Sequence, residues 1–350
     1  MTPGAGKRRD GSMAMTDLST LSTRVCLLLA ALAVGWCLAV AAPAFAQQAG
    51  ATFDPQADAV NQATLLRELP RIQGNINQLD PRARVLVQPA GRTWEYFHQV
   101  VLRWIGTMAI VGTLLALAAA YWVLGRLRIS AGRSGRKILR FKPLERAAHW
   151  LTAVSFVVLA LTGLNITFGK PLLLPLIGPD AFSAFSQYAK YTHNFVSLPF
   201  VVGLAVIVGI FIRDNIPDKT DIAWFKQGGG FIKSRHAPAR RFNAGEKLVF
   251  WGALGAGIAV TASGLMLLFP FYITNIFGMQ IAQVIHAVIA MLFIALILGH
   301  IYIGTLGMEG AFEAMWSGDV DYNWAKEHHD LWLREQLAKE PPMPSATPAE

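Results

Sequence analysis

The chain has 350 residues, of which 53% are hydrophobic and only 15% charged, against about a quarter charged in an ordinary soluble domain. Apolar runs long enough to cross a bilayer recur along it, which excludes a string of soluble domains and selects a multi-span membrane protein. The formal net charge of +9 sits in segments flanking those runs, so it reads as membrane orientation, and with no basic reader helix no nucleic-acid partner is expected.

The first apolar run, "RVCLLLAALAVGWCLAVAAPAFAQQAG", follows Arg24 and ends in Ala44-Phe45-Ala46. A basic start, an apolar middle and a small-residue end predict a secretory signal peptide over residues 1–46. The alternative is an uncleaved first helix. Cys26 and Cys37 are the two cysteines, and both lie in this run. Cleavage after Ala46 leaves a mature chain without thiols, which excludes disulfides, Cys-ligated clusters and thioether-linked haem.

Residues 47–98 are polar, with Pro55, Pro70, Pro81 and Pro89 and no sustained apolar period; they read as a periplasmic arm. A transmembrane helix is predicted over 99–125, with Trp94, Trp104 and Trp122 as interface residues. The basic linker over 126–146 follows. The stretch "GRLRISAGRSGRKILRFKPLERAAH" carries eight Lys or Arg against one Glu, which marks it as cytoplasmic. Four further spans are expected near 147–168, 193–212, 247–269 and 279–305, within a four-helix domain over 147–310. The loop over 213–247 has eight Lys or Arg against four acids and reads as cytoplasmic, whereas "PFYITNIFG" is uncharged and suits the periplasmic face. The tail over 311–350 is charged and cytoplasmic, and its end "PPMPSATPAE" is expected to be disordered. No internal repeat is evident. The expected location is a bacterial cytoplasmic membrane, with the mature N-terminus periplasmic and the C-terminus cytoplasmic.

This topology sorts four histidines into two levels. His193 and His286 fall near the outer ends of their helices, and His149 and His300 near the inner ends. His286 and His300 are 14 positions apart, which is about 21 Å along a helix and close to four whole turns, so both rings leave one face. Imidazole is costly to bury in hydrocarbon without a partner. Two flat, mostly apolar macrocycles stacked across the membrane, each with two axial imidazoles, satisfy that cost, and a filled coordination sphere favours electron transfer. The spacing therefore points to two haem b groups. Zinc or a proton relay is the competitor, but zinc prefers a compact set of three or four ligands. Gly163 lies 14 positions after His149; it either lets a macrocycle approach the backbone or merely eases helix packing.

At these residues the chain resembles a known family. "RAAHW" with "LTG" downstream, "YTHNFVSLPF", "DNIPDKTDIAWF", "RFNAGEKLVFW", "VIHAVIA" and "GHIYIG" resemble the cytochrome b (gamma) subunit of respiratory formate dehydrogenase. The resemblance implies an all-α, four-helix di-haem cytochrome b bundle with one additional N-terminal transmembrane helix. It implies as partners a molybdenum- or tungsten-containing alpha subunit that oxidises formate and an iron–sulfur beta subunit. Electrons are then taken up at the outer haem, on His193 and His286, cross to the inner haem, on His149 and His300, and reduce a quinone. The family's quinone pocket maps onto Asn243, Gly245 and Glu246, beside His300. Short members carry Gln at the position of Glu246, so Glu could also move a proton. The same cytochrome could instead serve a nickel–iron hydrogenase or another respiratory dehydrogenase. In every case the chain itself transfers electrons and reduces quinone; it performs no formate chemistry.

The residues leave a second reading of that loop. Asn243 with Glu246 three positions on is also a capping-box pattern at a helix start. His98 reads as an interfacial histidine, His236 as solvated in a basic loop, and His328 and His329 as docking onto a partner. Arg140, Lys142 and Arg146 suit either haem propionates or membrane orientation. "GGG" over 228–230 reads as flexible chain.

Overall fold

A computed structural model describes residues 91–229 and 237–339. The expected signal peptide, nearly all of the arm, both cysteines, His236 and the end of the tail lie outside the described residues. Five helices are long and apolar enough to cross a membrane. A turn of helix, Gly91–Tyr96, and a π-helical segment, Phe97–Val101, lead into α1 (Leu102–Leu124). Next come strand β1 (Lys137–Leu139), then α2 (Pro143–Leu172), the short α3 (Leu174–Ile177) and α4 (Pro179–Phe211). The chain continues through α5 (Lys219–Lys226), α6 (Ala244–Leu268) and α7 (Ile276–Tyr302). It ends in α8 (Ala311–Trp316), strand β2 (Asp319–Asp321), α9 (Tyr322–His328) and α10 (Asp330–Leu337).

The all-helical, five-span bundle expected from the sequence is present. One difference is the start of α4, which begins at Pro179 and not near His193. Proline is favoured at the first helical position, where its missing N–H costs nothing, and the residues that follow continue the helix without a breaker until Pro199. Most of the segment between the spans expected near 147–168 and 193–212 is therefore helical.

Small residues set how closely the helices pack. α2 pairs with α4, α6 with α7, and α1 lies along α7. Gly203 of α4 lies against the Thr152 backbone of α2, where a Cβ would sit 3.1 Å from the Thr152 nitrogen. Gly106 gives α1 the same closeness: a Cβ there would fall 2.9 Å from the Phe168 ring and 3.1 Å from Met291 Sδ. Elsewhere α1 exposes Met108, Leu115 and Trp122, which is the expected state of a helix facing lipid rather than protein.

How the basic linker and the tail meet is not announced by either segment's residues. β1 and β2 pair antiparallel, with Ile138 opposite Val320. Their buried faces join Ile129, Phe141, Phe211, Trp324, Trp332 and Leu333 in a compact apolar core at one end of the bundle. The Asp321 carboxylate closes the join: it accepts from the Ser134 and Gly135 N–H groups and caps α9 through the Asn323 N–H. These helices are too short to persist alone, so burial of that face is what holds them.

Candidate functional site

The four membrane histidines meet in two pairs. His149 of α2 and His300 of α7 have ring centres 6.1 Å apart, and His193 of α4 and His286 of α7 also have theirs 6.1 Å apart. An imidazole nitrogen binds a metal at about 2 Å, and the ring centre lies about 1.1 Å behind it. Two imidazoles trans on one metal therefore place their centres about 6.2 Å apart. Both pairs fit that span. Among the described residues no group of three or more His, Cys, Asp or Glu side chains gathers as a metal site, so the donor set at each level is two imidazoles, which suits a haem iron and not zinc.

The His193–His286 pair has a glycine against each ring. A Cβ on Gly163 would lie 3.4 Å from His193 Cε1, and one on Gly264 would lie 3.1 Å from His286 Cε1. Gly163 therefore faces the ring level expected of it. Gly264 was missed in the sequence. The residue before each glycine carries a hydroxyl that meets the ring nitrogen: Thr162 Oγ1 is 2.9 Å from His193 Nδ1, and Ser263 Oγ is 3.1 Å from His286 Nδ1. "Thr162-Gly163" in α2 and "Ser263-Gly264" in α6 are thus a two-residue repeat of a hydroxyl followed by a glycine.

Three phenylalanines occupy the level between the pairs. Phe156 is seven positions after His149, Phe200 seven after His193, and Phe293 midway between His286 and His300. Seven positions is close to two helical turns, so the three rings share one layer. Phe156 and Phe293 have ring centres 4.6 Å apart, and Phe200 lies 6.3 Å from each. Phe200 and Phe293 are buried.

At the His149–His300 end the loop before α6 forms the capping box. Asn243 Oδ1 accepts from the Glu246 N–H at 3.0 Å, and Glu246 Oε2 accepts from the Asn243 N–H at 2.9 Å. The other carboxylate oxygen, Oε1, accepts from Arg140 Nη2 at 2.9 Å. Gly245 packs on Trp224, where a Cβ would sit 3.0 Å from the ring. Arg140 is buried, also donates to the Arg241 carbonyl, and lies over the Trp324 and Phe141 rings. Arg146 donates to the Trp316 carbonyl. Both arginines are buried and hydrogen-bonded within the protein. Lys247, also buried, joins Asp221 at 2.9 Å and the Ile216 carbonyl at 3.1 Å, which gives "DNIPDKTD" a structural role as an anchor for α6.

His329 departs furthest from expectation. It is fully buried and so cannot dock a partner. Its Nδ1 donates to the Arg240 carbonyl at 2.8 Å, and its Nε2 faces Glu246 Oε2 at 3.6 Å, beyond a hydrogen bond. Burial, with Arg140 beside it and only partly opposed by Glu246, pushes the imidazole down to about 3. His329 is therefore a neutral core residue. The His98 ring lies beside Trp94, tilted by 41° with centres 5.6 Å apart.

A membrane-spanning helical bundle whose paired imidazoles fit a six-coordinate iron falls in the class of membrane b-type cytochromes. The sequence comparisons agree: residues 140–318 match the pattern of the prokaryotic cytochrome b561 family, and the chain belongs to that family. Membership carries haem b with it. The chain is 31% identical over 206 residues to the cytochrome b556(Fdn) subunit of the nitrate-inducible formate dehydrogenase of Escherichia coli (strain K12), which is 57% of this chain and 92% of that protein. It is 29% identical over 202 residues to the cytochrome b556(fdo) subunit of formate dehydrogenase from the same organism, again 57% of this chain and 92% of that protein. It is 27% identical over 208 residues to the cytochrome b556 subunit of formate dehydrogenase from Haemophilus influenzae, 57% of this chain and 84% of that protein.

Proposed function

We propose that this chain is the membrane-anchoring, di-haem cytochrome b subunit of a formate dehydrogenase. It takes electrons from a periplasmic iron–sulfur subunit, itself fed by a molybdenum- or tungsten-containing catalytic subunit, and delivers them to quinone. The observation that carries this is the pair of imidazole couples, each with ring centres 6.1 Å apart, at two levels four turns apart on α7. The relatives' names, all cytochrome b556 subunits of formate dehydrogenase, supply the substrate of the complex. When bound, haem supplies a one-electron couple at each level. His193 and His286 are the ligands of the outer haem, and His149 and His300 those of the inner. The Phe156–Phe200–Phe293 layer keeps the space between them dry.

Quinone reduction belongs at the inner end, on Asn243, Gly245 and Glu246. The quinone takes two electrons and two protons, so the pocket needs a donor to a carbonyl and a route to water. The Asn243 Oδ1 is committed to the cap, which leaves its amide nitrogen as the donor. Capping and binding then coexist, since they use different atoms. Glu246, held by Arg140 and the Asn243 N–H, anchors the pocket wall. The loop charges support an orientation with the linker, this pocket and the tail in the cytoplasm. Outer electron entry with inner proton uptake separates charge across the membrane.

The test is formate-driven haem reduction and quinol formation in the complex. Both centres should reduce with formate, and His300→Ala should abolish quinol formation while leaving one reducible haem. A reduced spectrum without a b-type band, or one unchanged when His286 and His300 are both replaced, refutes the proposal. Co-purification with a nickel–iron subunit instead of a molybdenum or tungsten one would move the chain to a hydrogenase.

A further inference from the structure

The two imidazole pairs differ in what holds their outward-facing nitrogens. At His193 and His286 each Nδ1 meets a hydroxyl, Thr162 Oγ1 at 2.9 Å and Ser263 Oγ at 3.1 Å. The direction of these bonds is fixed by the other partner of each hydroxyl. Thr162 Oγ1 donates to the Val158 carbonyl at 2.7 Å, and Ser263 Oγ donates to the Ala259 carbonyl at 2.6 Å. A hydroxyl has one hydrogen, so toward the ring each can only accept. His286 Nδ1 also lies 3.0 Å from the Val260 carbonyl, which can only accept. Both rings therefore carry their hydrogen on Nδ1 and present a bare Nε2 to a metal. The other pair lacks such support at His149, whose Nδ1 is buried without a hydrogen-bond partner among the described residues.

We propose that Thr162 and Ser263 are positioning residues that hold the outer haem at a lower potential than the inner one. The inference rests on the di-haem reading above. A hydrogen bond given by Nδ1–H makes the imidazole a more basic ligand, and a more basic axial ligand stabilises ferric over ferrous iron. With both ligands so bonded, the outer site gives up an electron more readily than the inner site, whose buried ligand His149 lacks such an acceptor. With haem held by His193 and His286 and by His149 and His300, one electron would pass from the outer iron, ferrous to ferric, to the inner iron, ferric to ferrous. No proton moves and no bond breaks in that step. The inward direction of flow is thus written into the ligands' hydrogen-bond partners. Quinone takes the electron at the inner face, and the one-electron donor at the outer face replaces it.

Redox potentiometry of the purified, haem-loaded chain, followed in the visible spectrum, tests this. The wave abolished by His193→Ala is the outer one, and it should be the lower of the two. Thr162→Val should raise it by about tenfold in the ferric-to-ferrous ratio at a fixed potential, or about 59 mV for one electron, and Ser263→Ala should raise it by less, because His286 Nδ1 keeps the Val260 carbonyl as acceptor. The inner wave should stay in place. Thr162→Ser keeps the hydroxyl and should leave the outer wave unmoved, which also decides the matter if the valine variant sheds its haem. An outer wave that is already the higher, that stays put in the valine and alanine variants with both haems bound, or that shifts equally in Thr162→Ser overturns the proposal. A wild-type chain with no b-type band refutes the di-haem reading instead, before any potential is measured.

Discussion

The glycines against the His193 and His286 rings give a graded test of the site. At Gly264 a methyl group would lie 3.1 Å from His286 Cε1, so the ring must retreat by a few tenths of an ångström. At Gly163 the corresponding distance is 3.4 Å, the edge of ordinary contact. Overpacking of this kind costs about 1–3 kcal/mol, which for Gly264→Ala is about 5- to 150-fold in haem affinity. Gly163→Ala should cost less than about 1 kcal/mol, within a factor of about 5. Gly255 is the control, since nothing lies within 4 Å of a Cβ there, and alanine in a helix interior gains about 0.5–1 kcal/mol. The assay is haem per chain in detergent, measured from the pyridine haemochrome spectrum during competition with a haem-scavenging apoprotein. Gly264→Ala should release one haem first, Gly163→Ala later, and Gly255→Ala no sooner than wild type. Equal release from Gly264→Ala and Gly255→Ala would falsify the reasoning, because the cradle would then not be where the haem is held.

Further outcomes follow from other parts of the molecule. His149→Ala and His193→Ala should each remove one haem and leave the other spectrally intact; loss of both from either variant counts against two separate levels. Trp324→Ala, at the centre of the end-cap core, should cost about 3–5 kcal/mol of cap stability and expose the tail to protease without removing haem. The buried His329 gives the cap a pH dependence. Its folded value, about 3, lies below the roughly 6.5 of an unfolded histidine, so the unfolded chain binds more protons over that interval. Its contribution is complete above about pH 6.5 and is lost as pH falls, by about 1.4 kcal/mol per unit down to about 3. Hydrogen exchange of α9 and α10 should report that slope, and His329→Gln should flatten it; a slope unchanged in the variant assigns it to other groups.

The spans and the two imidazole levels were legible in the sequence because each rests on a simple period. Apolar runs of bilayer length predict helices, and 14 positions between His286 and His300 predict one face. Gly163 was legible for the same reason. What escaped notice had the same periodicity with commoner residues. The repeat in "Thr162-Gly163" and "Ser263-Gly264" is two residues long, and Phe156, Phe200 and Phe293 are unremarkable in a chain with 20 phenylalanines, until their shared seven-residue offset from a histidine is noticed. The end cap was harder. β1 and β2 are about 180 positions apart, and nothing local to "KIL" or "DVD" announces the other strand. Likewise His329 looked like a surface histidine in a charged tail, because the arginines beside it, Arg140 and Arg240, come from the linker and from the loop before α6.

The three phenyl rings between the imidazole levels bear on which charge carriers can pass. A proton travels along a file of donors and acceptors, through water or polar side chains, and these rings offer neither. An electron needs no such file; it needs dense matter between two centres, and close-packed aromatic rings supply that. On the di-haem reading proposed above, the layer acts as a selective insulator: transparent to the particle that the bundle moves, and opaque to the one whose gradient the membrane must keep.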